Sequence, residues 1–563
     1  LYFPPKKIVV KSFLKYGKLK GRRRFVICKS TLTIIPIKLM LKNFLEMPMV
    51  FSVITKHIEK CNKSVLINSV MKGDFWNTNV ANQAKKIIFP IILYFDDIEI
   101  NNPLGTHRTI NKIGAVYCSI PILPTKYVSK LENIFLWQLH NSQDHNTVGN
   151  KQIFNFIIEE IIDLQNNGII INIDGEEKNI FFVLTYIVGD NLGLNTILGF
   201  SKSFNSSHCC RVCTVPKDEL QKQKKEKPEM LRTRANYSTH CSEKTFGVRE
   251  NCVFHVISNY HVTQNFSVDP MHDLFEGICR YDLAKILNNF INTENFFTLD
   301  VLNERIKCFN HVSDSNVPPP LQSESIKKEL IILSASEMHY LVKNLCLFVG
   351  DLIESNNKYW QLYLIMRKIV CIAIAEAINE EIIKNFEKLV FQYLTSHKQL
   401  FKCNFKFKHH ILLHYPRIMR AFGPLKNMSS MRFEAKHKQI KETSKIITSR
   451  KNPSYSLAVK HQLQFSHRLV RNIGFSDDDL SHGIPFVKVR LTSQFESFKE
   501  YLPSHNFFDY NCYSWVRMNG TRYEINNVIN YSKDDFGVSL GKIKFIIIGF
   551  EKKFFFCTAK FKL

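Results

Sequence analysis

Short apolar runs in the first half of the chain predict buried strands. They are bounded by Asn, Pro or Gly, which favours strands covered on both faces over helices. Residues 147–167 instead carry apolar side chains at helical spacing and end at Asn166-Asn167-Gly168, which predicts a helix. The order is therefore three strands, this helix, a hairpin and a short helix from about 192. The apolar strand runs are 88–95, 113–120, 134–139, 169–173 and 180–188.

The rest of the chain divides into regions of different pattern. Residues 206–405 contain several helical stretches and no alternating strand pattern, which predicts a mostly helical insertion. From 486 short β-like runs return with a hairpin signal at Asn519-Gly520, which predicts a small β-domain. We expect an α/β (α+β) fold with a mixed sheet. Its regions are a basic N-terminal region resembling an appended domain (1–85), a core in two parts (86–205 and 406–475), the insertion (206–405) and a β-rich C-terminal domain (486–563).

The charge balance indicates a polyanionic partner. The chain has 76 Lys and Arg against 50 Asp and Glu, a formal net charge of +26. Such a surplus suits nucleic acid or an anionic membrane surface. Residues 402–451 contain thirteen Lys or Arg and only two acids, interleaved with His and aromatic residues. That interleaving favours DNA contact over an ordinary solvated face, with Lys436, Lys438 and Lys441 as the expected contacts.

Two classes of protein are disfavoured by composition. No uncharged apolar stretch is long enough for a membrane-spanning helix, so we expect no membrane partner. The fifteen Cys are an odd number spread over a long chain. We therefore expect reduced thiols and not a disulfide scaffold.

Carboxylates at strand ends predict a site for divalent cations. Asp96 and Asp97 end the first strand, and Asp190 follows the last one. The carboxyl ends of strands are where α/β sheets place their chemistry, although an Asp there can equally cap the next helix. Glu434 lies alone among cations, where it could be a metal ligand or an i,i+4 partner of Lys438. Cleavage of phosphodiesters uses such carboxylates to hold two divalent cations.

A Cys-x-x-Cys pair predicts a zinc site. Cys210 and Cys213 supply two ligands, and a structural site needs four. His409 or His410, together with His414, could complete it, since residues four apart share one face of a helix. The alternative is a basic His cluster and two free thiols. Asp269 and His272 form a second candidate pair of lower weight.

Five segments together resemble transposase-like proteins of animal genomes. These proteins are related to the Tnp2 transposases of the CACTA (EnSpm) DNA transposons. The segments occur in consistent order, and the resemblance covers roughly residues 80–470. They are FDDIEINNPLGTHR at 95–108, KIGAVYCSIPILP at 112–124, GDNLGLNTILGFSKSFNSSHCCRVC at 189–213, DPMHDLFEGI at 269–278 and HHILLHYPRIMRAFGPLKNMSSMRFEAKHKQIK at 409–441.

The resemblance implies a ribonuclease H-like core with the helical insertion before its last acid. It also implies a DDE triad of Asp96, Asp190 and Glu434 that binds Mg²⁺ or Mn²⁺. In the Tnp2 pattern a Gly follows the first Asp, and Asp97 takes that position here, so Asp96 is favoured.

Two further elements follow from the same resemblance. The family has a [Cys/Asp]-x-x-His element, which Asp269 and His272 match. The order of CxxC and paired His is also similar to that of the V(D)J recombinase catalytic subunit, where these residues bind structural zinc. This supports Cys210, Cys213 and His414 as zinc ligands.

The expected function is a nuclear, homo-oligomeric DDE transposase that cleaves DNA at transposon ends and transfers the strand to target DNA. The alternative is a domesticated or decayed relative that binds DNA without catalysis. A carboxylate-pair glycosidase is disfavoured by the charge and the CxxC, and no small-molecule substrate is expected.

Overall fold

The structure, a computed structural model, is a mixture of helices and strands, which confirms the predicted mixed α/β class. The chain divides into two compact units, one of Leu1–Phe309 and Asn316–Gly474 and one that includes Phe475–Leu563. The predicted Asn519-Gly520 turn lies outside the described residues. These are 2–19, 22–82, 86–100, 112–309, 316–447, 452–475, 480–492, 496, 510–518, 521–534, 537–548 and 554–560.

A curled seven-stranded sheet forms the centre of the first unit. Its spatial order is β1-β2-β5-β4-β3-β7-β6. Strands β3 and β7 run parallel, and the other neighbours are antiparallel. The central strands are almost wholly buried, as their continuous apolar runs predict. The strands are β1 (Lys6–Leu19), β2 (Arg22–Ile34), β3 (Ile87–Glu99), β4 (Lys112–Ser119), β5 (Phe135–Asn141), β6 (Ile169–Ile173) and β7 (Glu176–Val188).

The N-terminal basic region is part of this sheet and not an appended domain. β1 and β2 form a long hairpin, and the end of β2 pairs with β5 through Thr33–Leu139 and Ile34–Gln138. The last apolar side chains of β2, Leu32 and Ile34, are fully buried there. The many basic residues of the hairpin made the region resemble a separate domain, although the apolar end of β2 joins the core.

Helices surround the sheet and fill the insertion. In the first unit, α6 packs against β7, and α18 packs against β3. Before the insertion lie α1 (Ile37–Leu45), α2 (Val50–Lys63), α3 (Asp74–Asn79), α4 (Thr125–Val128), α5 (Asp144–Thr147), α6 (Asn150–Asn166) and α7 (Asn191–Ile197). Within it lie α8 (Lys217–Leu220), α9 (Arg234–Glu243), α10 (Cys279–Asn288), α11 (Leu299–Cys308), α12 (Ser323–Lys327), α13 (Ala335–Val349), α14 (Lys358–Ala373) and α15 (Glu380–Phe401). After it come α16 (Phe407–Ile411), α17 (Tyr415–Phe422), α18 (Met431–Ile446) and α19 (Pro453–Val470).

The second unit contains short antiparallel strands. β9, β10, β13, β14 and β15 form one sheet, and β8, β11 and β12 form another. Ile543, Ile546 and Val516 are buried in one of its apolar clusters. The strands are β8 (Leu480–His482), β9 (Pro485–Lys488), β10 (Asn511–Tyr513), β11 (Trp515–Met518), β12 (Thr521–Glu524), β13 (Val528–Asp534), β14 (Gly537–Ile548) and β15 (Phe554–Lys560). Within the described part of the chain, no helix combines the length and apolarity that crossing a membrane requires.

Candidate metal centres

The parallel pairing of β3 and β7 brings two carboxylates to the same edge of the sheet. Tyr94 is in register with Val188, so two residues further on Asp96 lies beside Asp190. Asp190 follows the end of β7, but Asp96 and Asp97 do not end their strand as predicted, because β3 continues to Glu99 in its pairing with β4. Adjacent strands are about 4.8 Å apart. The end of β7 also touches β3, because a Cβ on Gly189 would lie 2.6 Å from the Phe95 carbonyl oxygen. The sheet therefore places both acids side by side.

Asp97 does not belong to this pair. Successive side chains of a strand point to opposite faces, and Asp97 is exposed while Asp96 is half-buried. The Asp97 carboxylate accepts a hydrogen bond of 2.6 Å from the Ser142 hydroxyl, after β5. Among the two acids that the sequence proposed, Asp96 is thus the one beside Asp190.

Helix α18 brings a third carboxylate to the same edge. Phe433 stacks on Tyr94 of β3 with ring centroids 4.4 Å apart, which fixes the helix on the strand. One turn on, His437 Nδ1 lies 3.5 Å from Asp96 Oδ2. Glu434 follows Phe433 and points to His272, whose Nε2 is 3.1 Å from Glu434 Oε1.

Asp269 and His272, the second candidate pair, form a hydrogen-bonded chain that ends at Glu434. His272 lies in a π-helical segment, Met271–Ile278, that leads into α10. Its Nδ1 donates to Asp269 Oδ2 at 2.5 Å. The other Asp269 oxygen accepts from the backbone N–H groups of Met271 and Ser430, each at 3.0 Å. Because Asp269 is fully buried and fixed on both oxygens, it orients the imidazole towards Glu434.

The electrostatics couple these groups. Burial, together with the charges of Asp190 and Glu434, raises the pKa of Asp96 to about 7. Burial lowers the pKa of His272, but its bonds to Asp269 and Glu434 outweigh burial and raise this pKa to about 11. His272 is therefore a cation that partly offsets an excess of carboxylates. A carboxylate whose proton affinity is raised by neighbouring carboxylates fits a site for a hard divalent cation.

Asp190 is also the N-cap residue of helix α7. Its Oδ1 accepts from the backbone N–H of Gly193 at 2.5 Å and caps α7. The capping interpretation is therefore correct for one oxygen of this carboxylate. Capping fixes the side chain at the strand end.

A second cluster joins the start of the insertion to its end. Cys210, Cys213, His410 and His414 are buried, and one potential ligand atom from each lies within 4.8 Å of the others. Cys210 Sγ is 3.6 Å from His414 Nε2, and Cys213 Sγ is 3.3 Å from His410 Nε2. The two Nε2 atoms are 3.2 Å apart.

These spacings fit a tetrahedral zinc ion. With Zn–S near 2.3 Å and Zn–N near 2.0 Å, the tetrahedron has S–N edges of about 3.5 Å and an N–N edge of about 3.3 Å. Burial raises the pKa of the Cys210 thiol. The hydrogen bond with Cys213 and the nearby His414 outweigh burial, and the pKa lies well below its ordinary value. A thiolate is the form that binds zinc.

The surrounding residues orient the ligands. His414 Nδ1 donates to Glu226 at 2.7 Å, which leaves Nε2 as the ligand atom. Glu226 is held in turn by Arg417 at 2.7 Å. Between the two Cys, buried Arg211 donates to the side chain of Asn191 at 2.6 Å, next to Asp190. The CxxC loop is thereby tied to the edge that carries the acids.

His409 is not part of the sulfur-containing cluster. It faces Asp282, which also lies 3.3 Å from His397 Nε2 and accepts a hydrogen bond from the Tyr393 hydroxyl. His409 Nδ1 accepts from the Lys406 backbone N–H at 3.1 Å, so its Nε2 carries the proton and donates to Asp282 at 2.9 Å. This group could be taken for a metal site, but the tautomer of His409 is that of a hydrogen bond donor. Consecutive helical residues point about 100° apart, which is why His409 and His410 diverge.

The three proposed DNA-contacting lysines separate into two sets. Lys438 and Lys441 are exposed and lie four and seven positions after Glu434, on the same face of α18. Lys436 is buried and donates to the Leu131 carbonyl at 2.9 Å, on the other side of the helix. Lys436 therefore does not share the face of Lys438 and Lys441, and its contact with DNA stays a prediction.

One buried residue of this region was missed. Asp273 accepts from Asn191 at 2.7 Å and from Tyr415 at 3.1 Å, and so links the strand edge, the π-helical segment and α17. It lies in the quoted segment DPMHDLFEGI four residues after Asp269. The spacing of four residues, which places two side chains on one face of a helix, could have pointed to Asp273. It was overlooked because the Asp-x-x-His pair in the same segment was the more conspicuous candidate.

No family model matches the chain, and no curated protein matches it.

Proposed function

We propose that the protein is a DDE-type, transposase-like enzyme that cleaves DNA and transfers strands at transposon ends. The observation that carries this proposal is the meeting of two acids from adjacent parallel strands, Asp96 and Asp190, with Glu434 from a later helix. The sheet supports a ribonuclease H-like core, since β5, β4 and β3 are antiparallel and β7 joins β3 in parallel.

Asp96, Asp190 and Glu434 are the residues that would hold Mg²⁺ or Mn²⁺. Two such ions activate the attacking oxygen and stabilise the leaving one in phosphodiester cleavage. His272 holds Glu434 in place, and Asp269 holds His272. Because His272 is positively charged, it also lowers the repulsion among the carboxylates before any cation binds.

The sulfur-containing cluster supports a structural zinc ion. A Cys₂His₂ set is a closed coordination shell, which stabilises a fold and leaves no position for a substrate. Zinc there would fasten the segment after Asp190 to the segment before Glu434. The insertion between these segments could then be large without disturbing the positions of Asp190 and Glu434.

The partner we propose is DNA. Lys438 and Lys441 continue the face of α18 that carries Glu434, so a phosphate backbone could run along this helix. Together with the net charge of +26, this supports a nuclear DNA-acting protein. A homo-oligomer is part of the same proposal, because two transposon ends must be cut together.

One observation favours a second candidate, a transposase-derived DNA-binding protein without catalysis. Glu434 and Asp190 already have protein partners, His272 and the α7 backbone. If those partners are purely structural, the fold and the DNA track could persist without cleavage.

The experiment is a cleavage and binding assay on DNA carrying the ends of the element, with Mg²⁺ or Mn²⁺. Glu434→Gln should bind DNA as well as the wild type but fail to cut, because an amide is a poorer ligand for a hard cation. Glu442→Gln is the matched control, since Glu442 is exposed on the same helix, and it should keep both activities.

Binding without cleavage by the wild type would favour the second candidate. No binding at low salt would exclude both. Cleavage by Glu434→Gln at the wild-type rate would exclude the proposed site.

A further inference from the structure

A cavity of about 570 Å³ lies behind the catalytic face of α18. It is bounded by α18, α19 and the segment around Leu131 that precedes β5. Its size falls in the range of small-molecule sites, about 300–1,000 Å³. Arg432 and Lys436 line it from α18, one helical turn apart and on the face opposite Glu434. The cavity is therefore separate from the three acids.

Three cations in this cavity donate hydrogen bonds to neutral oxygens, and Arg468 also lies over the Phe44 ring, 5.4 Å from its centroid. Arg432 donates to the Ser129 carbonyl at 2.6 Å, and Lys436 donates to the Leu131 carbonyl at 2.9 Å. Arg468 of α19 donates to the Asn133 side chain at 2.8 Å.

No carboxylate of the described residues forms an ion pair with these cations, although the more distant charge of Glu132 acts on Lys436 and Arg468. Within the described ranges, no Asp or Glu oxygen is within 4.0 Å of a charged nitrogen of Arg432, Lys436 or Arg468. Glu132 is the one acid of the lining, and its side chain lies beyond that distance.

Burial makes this arrangement costly without a partner. Lys436 and Arg468 are 4% and 5% exposed. Burial lowers the pKa of Lys436 to about 8, with Glu132 acting against it. The Nη2 of Arg468 and the Nδ1 of His461 are buried without a hydrogen bond. Buried charges are normally paired, so the cavity has the properties of an anion site whose anion is a ligand.

The rest of the lining combines polar or charged side chains with apolar ones. The apolar residues are Leu131, Phe135, Phe465 and Ile473. Phe135 and Phe465 are buried at its base and meet edge to face, with centroids 6.2 Å apart. Inorganic phosphate alone would leave this part of the cavity unused. A phosphate attached to a flat ring with polar edges uses both parts, because the ring face can pack against aromatic side chains while the phosphate meets the cations.

We propose that this pocket binds one nucleotide unit of a DNA strand, with its phosphate at Arg432, Lys436 and Arg468 and its base against Phe465. The identification of the strand as DNA rests on the proposed function. The cationic and aromatic lining, by contrast, is independent of catalysis. Since the pocket and Glu434 lie on opposite faces of α18, the pocket would hold a part of the strand away from the bond that is cut.

Lys436→Met tests the proposal, with Lys368→Met as the control. Lys368 is exposed on α14 and does not line the cavity. Affinity for a labelled single-stranded oligonucleotide should fall about tenfold in Lys436→Met, as expected for one lost charge-assisted bond. The slope of log affinity against log salt should fall by about one. The melting temperature should stay equal or rise, because an unpaired buried charge is removed.

Deoxyadenosine monophosphate and inorganic phosphate identify what the pocket recognises. The nucleotide should raise the melting temperature of the wild type and of Lys368→Met but not that of Lys436→Met, and phosphate should act more weakly. Equal oligonucleotide affinity of the two variants in a protein that binds and cuts DNA would overturn the pocket while leaving the proposed function intact. Nucleotide binding lost in Lys436→Met, in a protein that binds no DNA, would support the phosphate site and refute DNA as its source.

Discussion

Replacing Asp96 by Asn should stabilise the protein when no divalent cation is bound. The pKa of Asp96 is raised from 3.8 to about 7 by burial and by the neighbouring acids. At about 1.4 kcal/mol per pH unit, this difference amounts to about 4 kcal/mol of lost stability at alkaline pH. The side chain keeps 23% of its surface exposed, so water screens part of the repulsion, and we expect a gain of about 2–4 kcal/mol for Asp96→Asn at pH 8.

The stability gained by Asp96→Asn should increase with pH. A raised pKa means that the folded protein binds the proton more tightly than the unfolded chain. The cost of the charge is therefore absent below about pH 4 and complete above about pH 7. Asp96→Asn should differ little from the wild type at pH 4 and increasingly at higher pH.

The assay is urea unfolding followed by tryptophan fluorescence at pH 4.5 and pH 8. The buffer contains no Mg²⁺ or Mn²⁺ and no chelator, because a chelator would also remove the zinc that we propose for the Cys/His cluster. Adding Mn²⁺ should stabilise the wild type, since a ligand of the folded state shifts the equilibrium, and should stabilise Asp96→Asn much less. Asp97→Asn is the matched control on the opposite strand face and should change stability by less than about 0.5 kcal/mol.

Two results would refute this reasoning. The first is a loss of stability in Asp96→Asn at pH 8. The second is a gain of the same size at both pH values, which would show that repulsion among ionised acids is not its cause.

Cys213→Ser should lose zinc and melt at a lower temperature, whereas Cys209→Ala should keep both, as measured by metal analysis and thermal unfolding; retained zinc in Cys213→Ser would contradict the cluster. Asp282→Asn should cost about 3–5 kcal/mol, because it breaks a buried charged hydrogen-bond network, and a cost below about 1 kcal/mol in urea unfolding would speak against that network. His272→Ala should reduce metal-dependent cleavage but not DNA affinity, since both imidazole nitrogens are engaged by Asp269 and Glu434, and cleavage at the wild-type rate would argue against this role.

The central strands could be predicted because they are buried on both faces. Such strands need continuous apolar runs, and the run ending at Asp96 lies within β3. The aspartates after two runs could also be noticed, since a polar side chain directly after an apolar run stands out, although β3 continues past Asp96. Sequence alone could not pair the strands, and it could not show that the basic N-terminal hairpin completes the sheet through only the last residues of β2.

The spacing of residues along the chain also left open which of two neighbouring residues takes a given role, and only the packing of the helices decides this. His409 and His410 are equally plausible zinc ligands by residue type, and the orientation of α16 separates them. Lys436 and Lys438 both closely follow Glu434 in sequence, yet Lys436 is buried and Lys438 is exposed. The hydrogen-bonded chain from Asp269 through His272 to Glu434 joins residues 162 positions apart, and no pattern along the sequence encodes such a distant contact.

The most direct test of the central claim, that these acids hold the cations that cut DNA, is the metal preference of Asp190→Cys. A thiolate binds Mg²⁺ poorly and Mn²⁺ better, because sulfur is a softer ligand than oxygen. We expect Asp190→Cys to cut end-containing DNA with Mn²⁺ but not with Mg²⁺, whereas Asp190→Ala should be inactive with both. Cleavage by Asp190→Cys or Asp190→Ala at the wild-type rate with Mg²⁺ would show that this carboxylate binds no catalytic cation and would contradict the account.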